Sequence, residues 1–324
     1  TLPDTSVPLA EGEADAAFAA ILDGQAGDDA IRDFLLAMSL RDETPVEIAA
    51  AIRAIRARMI PVEAPPGAID VCGTGGDMSN SLNVSTAVAI VVAACGVPVA
   101  KHGNRAASSQ AGGADTLEAL GLDLARASER AEATLAELGI AFLFAQKHHP
   151  ALGRLAAVRR SIQRRTIFNL TGPACNPARV SRQLIGVARP DFLPVYADAL
   201  KRLGMQGCML VAGDEPMDEL SIGGPSTVLR VGEQARRLLP DDAGLPRHPL
   251  TAIRGGDARH NAAALARLLD GEESAYRDAV LLNAAGALMV AERARDWREG
   301  VAQAAAAIDG GAARSLLARW IAFR

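Results

Sequence analysis

The sequence changes its periodicity at a proline-rich segment that runs from Pro61 to Gly67. Before this segment the apolar residues recur at helical spacing only. After it, short apolar runs alternate with helical stretches, a pattern typical of an α/β sheet covered on both faces. The sequence therefore predicts a small all-α domain over residues 1–65 and a larger α/β domain over residues 66–324.

The N-terminal part predicts three helices, at residues 13–22, at residues 29–38 and from Thr44 onward. The third has the clearest start signal. Thr44 can cap the helix, Pro45 fits its first turn, and Glu47 stands three residues after the cap, which is the pattern of a capping box.

The α/β part predicts six strands and a helical tail. The strands are expected at Ile69–Cys72, Val97–Ala100, Ala141–Phe144, Leu184–Ala188, Cys208–Ala212 and Val228–Val231. From about Asn261 to Arg324 the chain is rich in Ala and Leu and is expected to form helices. Pauses in this helical pattern are expected at Gly271, Gly300 and Gly310-Gly311.

Composition excludes several classes of partner. With 34 Lys plus Arg against 38 Asp plus Glu, and only 7 Phe, 2 Trp and 2 Tyr, the chain has neither a basic footprint nor stacking rings for nucleic acid. The longest apolar run, Ala87–Ala100, is shorter than the roughly 18 residues of a membrane span. The four cysteines form no C-x-x-C pair, and we expect free thiols in the cytoplasm.

A glycine-rich segment, Gly73-Thr74-Gly75-Gly76-Asp77, follows the first predicted strand. Glycines allow positive φ angles and close approach of a ligand to backbone N–H groups, as in an anion-binding nest. A simple tight connection would have the same composition. The segment matches neither the Rossmann nor the P-loop motif.

Two further polar clusters lie close behind in the sequence. Asn83-Val84-Ser85-Thr86 precedes an apolar helix, where phosphate binding and ordinary N-capping are both reasonable. Lys101-His102-Gly103-Asn104-Arg105, followed by Ser108-Ser109, stands at the end of a predicted strand. It is either a ligand-binding edge of the sheet or a solvated loop. Three such clusters within about 40 residues indicate one anion site.

Two other groups of charged residues remain ambiguous on their own. Asp218-Glu219 can hold Mg²⁺ together with substrate phosphates, or belong to an acidic surface loop. The pairs Arg159-Arg160 and Arg164-Arg165 can grip a carboxylate or form a solvated basic face. His148-His149 lacks a third ligand at metal-binding spacing, so a structural hydrogen bond is the more natural role for His149.

Taken in order, these motifs resemble the anthranilate phosphoribosyltransferase family. The motifs that carry the resemblance are GTGGD at 73–77, NVST at 83–86, KHGNR at 101–105, RTIFN at 165–169 and MDE at 217–219. The resemblance implies the class IV phosphoribosyltransferase (nucleoside phosphorylase-like) two-domain architecture. It also implies a segment near residues 149–170 that returns to the helical domain, and a homodimer formed through that domain.

The resemblance also implies the reaction. The amine of anthranilate takes the 5-phosphoribosyl group from phosphoribosyl pyrophosphate, giving N-(5-phosphoribosyl)anthranilate and pyrophosphate in tryptophan biosynthesis. No covalent nucleophile is needed, and Lys101 and Arg105 act electrostatically.

Site residues are carried over position by position. The expected donor-binding residues are Gly73, Gly76, Asp77, Ser81, Asn83, Val84, Ser85, Thr86, Lys101, His102, Gly103, Asn104, Arg105, Ala106, Ala107, Ser108, Ser109 and Gly113. The expected anthranilate-binding residues are Gly73, His102, Asn104, His149 and Arg159. Two Mg²⁺ ions are expected, one on Ser85 and Glu219 and the other on Asp218 and Glu219.

The chain departs from the family pattern at three places. After Ser109 the usual Lys-Ser-Gly and a following Ser or Ala are replaced by Gln110-Ala111-Gly112-Gly113, which removes a cation and a hydroxyl beside the phosphate. Gln146 replaces a proline, and Ala174 replaces a leucine. Two rival functions therefore stay open, a pyrimidine nucleoside phosphorylase and a ligand-binding protein without turnover. The sequence also leaves open an association with anthranilate synthase.

Overall fold

A seven-stranded mixed sheet forms the centre of the protein, in a computed structural model that describes residues 1–106, 110–205, 207–215 and 217–324. The strands are β1 Ile69–Gly73, β2 Val99–Gly103, β3 Ile140–Phe144, β4 Arg182–Gly186, β5 Gly207–Gly213, β6 Ser226–Arg230 and β7 Arg236–Leu238. Their order is β3-β2-β1-β4-β5-β6-β7. Strands β1 to β5 are parallel, and β6 and β7 run antiparallel to their neighbours.

Helices cover both faces of this sheet. The α-helices are α1 Glu11–Leu22, α2 Asp28–Leu40, α3 Pro45–Arg56, α4 Val84–Ala94, α5 Gly113–Ala119, α6 Leu124–Glu129, α7 Ala131–Leu138, α8 Ala145–His148, α9 Pro150–Gly153, α10 Ala156–Ile162, α11 Ile167–Leu170, α12 Leu193–Arg202, α13 Ala258–Leu269, α14 Ala275–Val290, α15 Trp297–Asp309 and α16 Ala312–Ala322. Short 3₁₀ helices lie at Pro173–Cys175, Pro190–Phe192, Pro240–Ala243 and Leu250–Ile253. In the described part of the chain no helix is both long and apolar enough to cross a membrane.

The predicted α/β fold with a small helical bundle is confirmed. The capping box at the start of α3 is present as well. Thr44 Oγ1 accepts a hydrogen bond from Glu47 N at 3.3 Å, and Glu47 Oε2 accepts one from Thr44 N at 2.9 Å. Local sequence signals were sufficient here because both partners lie within one helical turn.

Three details of the prediction were wrong. Strand β2 begins and ends later than expected, so Lys101 and His102 belong to the strand itself. Strand β7 was not predicted, because a three-residue edge strand with two exposed arginines has no apolar alternation. Gly300 lies inside α15 instead of interrupting the helical pattern. A Cβ there would sit 2.7 Å from Ala285 Cα, so this glycine permits close packing of α15 on α14.

The helical bundle shares its core with one face of the sheet. Ile52 and Ile55 of α3 belong to the same buried cluster as Tyr196 of α12. The segment that includes α9 to α11 joins this cluster too, and the rings of Phe18 and Phe168 meet edge to face with centroids 6.1 Å apart. The opposite face is covered mainly by α4, α13, α14 and α16, so α4 is buried almost completely.

The strand order places a topological switch point between β1 and β4. From β1 the chain builds outward through β2 and β3 on one side, then through β4 and β5 on the other. In open α/β sheets, ligands bind in the crevice at the carboxyl ends of the strands where the order reverses. The fold therefore predicts a ligand-binding site at the residues just beyond Gly73 and Gly186.

Candidate active site

A cleft of about 340 Å³ opens at the carboxyl ends of β1 and β2. The predicted site residues on its wall are Gly73, Gly76, Asp77, Ser81, Asn83, Ser85, Thr86, Lys101, His102, Gly103, Asn104, Arg105, Ala106, Gly113, Asp218 and Glu219. Val84, His149 and Arg159 do not line it. The predicted residues Ala107, Ser108 and Ser109 lie outside the described residues.

The wall of the cleft also contains residues that were not predicted from the sequence. These are Cys72, Thr74, Gly75, Ser79, Asn80, Leu82, Ala111, Gly112 and Phe142. Phe142 comes from the neighbouring strand β3, and a Cβ at Gly103 would lie 2.6 Å from its ring. Strand pairing brings this ring to the cleft, and no local motif in the sequence could have revealed it.

Two glycines at the switch point make room for Asp218. Gly73 of β1 and Gly186 of β4 are directly paired. A Cβ at Gly73 would lie 2.1 Å from Asp218 Oδ2, and one at Gly186 would lie 1.4 Å from the Asp218 carbonyl oxygen. Any side chain at either position would displace Asp218, so the two glycines allow the acidic segment to reach the sheet edge.

The acidic residues Asp218 and Glu219 in the cleft form no ion pair among the described residues. Asp218 Oδ2 accepts a hydrogen bond from Gly75 N at 2.6 Å, and Glu219 Oε1 accepts one from Ser85 N at 3.1 Å. Burial, and then the neighbouring Asp77, raise the pKa of Asp218 to about 7, while burial and then Asp218 raise the pKa of Glu219. Among the described residues neither carboxylate has a Lys, Arg or His partner within 4 Å.

These residues suit Mg²⁺, which needs few protein ligands, better than a metal ion that is bound by protein side chains alone. The described part of the chain contains no group of three or more His, Cys, Asp or Glu side chains that could hold an ion by themselves. Mg²⁺ usually takes only one or two carboxylates and completes its shell with waters and substrate phosphates. After burial, repulsion between carboxylates adds to the raised pKa of each group, from Asp77 on Asp218 and from Asp218 on Glu219, and a divalent cation would relieve it.

Lys101 supplies a buried cation next to these carboxylates. Its Nζ donates hydrogen bonds to Val71 O at 2.8 Å and to Ser85 Oγ at 3.2 Å, and the residue is only 4% exposed. The ammonium group therefore lies between β1 and the first turn of α4. A helix N-terminus and a fixed ammonium group together favour an anion.

The side chain of Asn83 joins three helices. Its Oδ1 accepts hydrogen bonds from Thr116 Oγ1 and from Asn261 Nδ2, and its Nδ2 donates to Ala111 O at 3.1 Å. The amide thus connects the start of α4 to α5 and α13. This side chain positions the start of α4, a role that the sequence did not indicate.

His102 and His149 form a neutral pair beside the cleft. His102 Nδ1 lies 3.1 Å from the carbonyl oxygen of Gly172, so this nitrogen must donate, and Nε2 is left as an acceptor. His149 Nε2, 3.2 Å from His102 Nε2, is then the donor. Burial, followed by the charge of His149, lowers the pKa of His102 to about 3, and burial followed by His148 lowers that of His149 to about 4.

The arginines occupy three different environments. Arg105 is exposed, and its guanidinium pairs with Asp115 and Glu118, so contact with a ligand would require exchange of these partners. Arg165 Nη2 donates to Gly75 O at 2.7 Å and holds the glycine loop. Arg159 is half-buried, with its guanidinium carbon 5.9 Å from the centroid of the Phe168 ring.

Comparison with known proteins identifies the family. Residues 65–314 match the model described as glycosyl transferase family, a/b domain, and residues 5–59 match the glycosyl transferase family, helical bundle domain. A relative named anthranilate phosphoribosyltransferase, from Novosphingobium aromaticivorans, is 62% identical over 99% of this chain and 98% of its own length. The chain belongs to the anthranilate phosphoribosyltransferase family. It is therefore a glycosyltransferase.

Other members of the family agree with this assignment. The anthranilate phosphoribosyltransferase of Sphingopyxis alaskensis is 59% identical over 99% of this chain and 98% of its own length. A crystal structure of the Thermus thermophilus protein has a TM-score of 0.94 and 44% identity, covering 98% of this chain and 96% of that one. The Saccharomyces cerevisiae protein in complex with PRPP and Mg has a TM-score of 0.89 and 27% identity, covering 97% of this chain and 93% of that one.

Proposed function

We propose that this protein transfers the 5-phosphoribosyl group of phosphoribosyl pyrophosphate to the amine of anthranilate, in tryptophan biosynthesis. One observation carries the proposal. Two half-buried carboxylates that form no ion pair among the described residues, Asp218 and Glu219, face a glycine loop and the ammonium group of Lys101 in one cleft at the switch point of the sheet. This arrangement suits a metal-bound diphosphate.

The donor would lie along the glycine loop and the start of α4. Backbone N–H groups of the loop and the Lys101 ammonium group would neutralise charge as the bond between the ribose C1 and the diphosphate oxygen breaks. The amine nitrogen of anthranilate forms the new bond to C1 and loses a proton to solvent, while pyrophosphate leaves with the electron pair of the broken bond. Catalysis then depends on positioning and electrostatics, with no covalent nucleophile.

We assign the Mg²⁺ ions to Ser85, Asp218 and Glu219, with two ions per site. When bound, Mg²⁺ would stabilise the negative charge that develops on the leaving pyrophosphate. The protein's own part is to hold the carboxylates in place. Gly75 N, Ser85 N and the paired glycines under Asp218 do this.

The acceptor would lie between Asn104, the histidine pair and Arg159. The guanidinium of Arg159 is half-buried and has no carboxylate within 4 Å among the described residues, and burial lowers its pKa. A desolvated cation without a counter-charge favours an anionic ligand. The carboxylate of anthranilate would supply that charge. The Saccharomyces cerevisiae relative has been solved in complex with 4-fluoroanthranilate.

We extend the proposal to the organisation of the protein. The chain would divide near residue 65, with a returning segment at 149–170, and the helical part would form a homodimer interface. Val7, Leu40 and Ile60 expose 59%, 65% and 52% of their surface, and all three lie in that part. The four cysteines are free thiols, which suits a cytoplasmic enzyme.

The donor and metal sites are tested together by calorimetric titration of phosphoribosyl pyrophosphate with and without Mg²⁺. We expect Mg²⁺ to be required for tight binding, and Glu219→Gln to weaken Mg²⁺-dependent binding by about tenfold or more. Glu129→Gln, at an exposed position on α6, is the matched control. Binding of equal strength in the two variants, or without Mg²⁺, would refute the assignment.

A further inference from the structure

A fully buried carboxylate, Asp70, lies in β1 directly behind the cleft. Its Oδ1 accepts a hydrogen bond from His102 N at 3.1 Å. Its Oδ2 accepts from Asn176 Nδ2 at 2.8 Å, from Gln183 Nε2 at 3.2 Å and from Cys72 Sγ at 3.3 Å. Asp70 does not line the cleft, and no local motif in the sequence pointed to it.

The contacts of Asp70 fit the ionised form. Three of the four neighbours, His102 N, Asn176 Nδ2 and Gln183 Nε2, can only donate, and the Cys72 thiol is the one neighbour with a lone pair for a protonated carboxyl group. Burial raises the pKa of Asp70 above its ordinary value, and Lys101 on the adjacent strand and the hydrogen-bond donors oppose this shift in part. A buried ion is costly unless it is paired and hydrogen-bonded, and replacement of such groups by apolar residues is often neutral for stability. Stability alone is therefore a weak reason for a carboxylate here.

Asp70 holds His102 in two ways. It accepts the backbone N–H of His102 directly. It also binds Gln183, whose Nε2 donates to Pro173 O at 2.8 Å as well. Pro173 follows Gly172, the residue whose carbonyl oxygen lies 3.1 Å from His102 Nδ1. The same carboxylate thus fixes the backbone of His102 directly, and its ring through Gln183 and the Gly172-Pro173 segment.

Among the described residues, Asp70 accepts no hydrogen bond from the glycine loop at 73–77 or from the Lys101 ammonium group. The glycine loop is held by Arg165 and Asp218, and the Lys101 ammonium group is held by Val71 and Ser85. A change at Asp70 would therefore move His102 and the histidine pair, while the hydrogen bonds that hold the glycine loop and the Lys101 ammonium group stay intact.

We propose that Asp70 is a positioning residue that sets the place of His102 for the acceptor substrate. This inference rests on the proposed function. It predicts that loss of the carboxylate damages turnover and acceptor binding while donor binding persists, because the two halves of the cleft are held by different contacts.

The variant Asp70→Asn tests this with minimal change of volume. Whichever way its amide is turned, the NH2 group would face a donor, either His102 N or the amides of Asn176 and Gln183, and the network would have to rearrange. We expect kcat to fall by about tenfold to a hundredfold, and the KM for anthranilate to rise several-fold. The Kd for phosphoribosyl pyrophosphate, measured by calorimetry, should change by less than about threefold.

Two further variants separate positioning from general destabilisation. Glu47→Gln alters another fully buried carboxylate, which accepts from Leu9 N at 2.9 Å in the helical bundle. It should lower thermal stability and leave kcat and both KM values unchanged. Gln183→Met keeps the carboxylate but removes the hydrogen bonds of Gln183 to Asp70 and to Pro173, so it should raise the KM for anthranilate even if Asp70→Asn does not fold.

Loss of stability in Asp70→Asn with wild-type kcat and KM values would overturn the inference, as would equal losses for donor and acceptor. If the wild-type protein does not consume anthranilate, the proposed function fails instead. The inference is then decided by nuclear magnetic resonance of the histidine rings. The His102 signals should shift in Asp70→Asn and Gln183→Met and stay in place in Glu47→Gln, and unshifted signals in all three would refute it.

Discussion

At the scale of single residues, Arg159 offers a test of the acceptor site. Arg159→Ala removes a half-buried guanidinium that has no carboxylate partner among the described residues. We expect the KM for anthranilate to rise about tenfold or more, because a charge-assisted hydrogen bond is worth about 1.5–3 kcal/mol. The KM for phosphoribosyl pyrophosphate should change little. Steady-state kinetics with each substrate varied in turn measures both, and equal increases would contradict the assignment.

The neutral histidine pair predicts a specific dependence of stability on pH. The pKa of His102 is about 3 in the fold against 6.5 for an ordinary histidine, so below pH 6.5 the unfolded chain binds a proton that the folded chain does not. The contribution of neutral His102 to the free energy of unfolding is fully present above pH 6.5 and decreases as the pH falls toward 3. Between pH 7.5 and 5.5 the loss is about 1.4 kcal/mol.

Urea unfolding of the wild type and of His102→Asn at these two pH values checks this expectation. Asparagine at 102 can still donate to Gly172 O but does not titrate. The fall in the free energy of unfolding should therefore be smaller in the variant. An identical fall in both proteins would show that His102 is already protonated or exposed at pH 5.5.

At the scale of elements, the meeting of β1 and β4 controls the acidic segment. Gly73→Ala would place a methyl group where Asp218 Oδ2 lies, so Asp218 must move away from the cleft. We expect kcat to fall by about a hundredfold, because displacement of a catalytic group by about 1 Å has effects of that size.

A matched glycine provides the control for this effect. Gly12→Ala, in the exposed first turn of α1, meets no atom within 4 Å and should leave kcat unchanged while slightly stabilising the helix. Wild-type activity in Gly73→Ala would contradict the role given to the paired glycines.

The same elements show what the sequence could and could not predict. Helix α3 was predicted because Thr44, Pro45 and Glu47 are a local signal. The cleft was predicted because its polar clusters directly follow strands or precede a helix. Three features were not predicted, because each joins residues that are far apart in the chain. They are the hydrogen bonds of Asp70, the contacts of Asn83 between helices and the position of Phe142 in the cleft wall. Strand β7 lacked the apolar pattern that marks a strand.

At the scale of the whole molecule, the helical bundle and the sheet are physically continuous. Residues of α1, α2 and α3 share one buried core with α12 and with strands β4 and β5. Arg154, in the loop after α9, donates to Leu22 O at 3.0 Å and joins the returning segment to α1. The cleft and the half-buried Arg159 are therefore carried by parts of one packed structure.

The proposed transfer itself is tested most directly by the fluorescence of anthranilate. We predict that the signal disappears only when the protein, phosphoribosyl pyrophosphate and Mg²⁺ are all present, and that pyrophosphate appears in equal amount. Omission of any one component should leave the fluorescence constant. Stable fluorescence in the complete mixture, or phosphorolysis of a pyrimidine nucleoside by inorganic phosphate without Mg²⁺, would contradict the proposal.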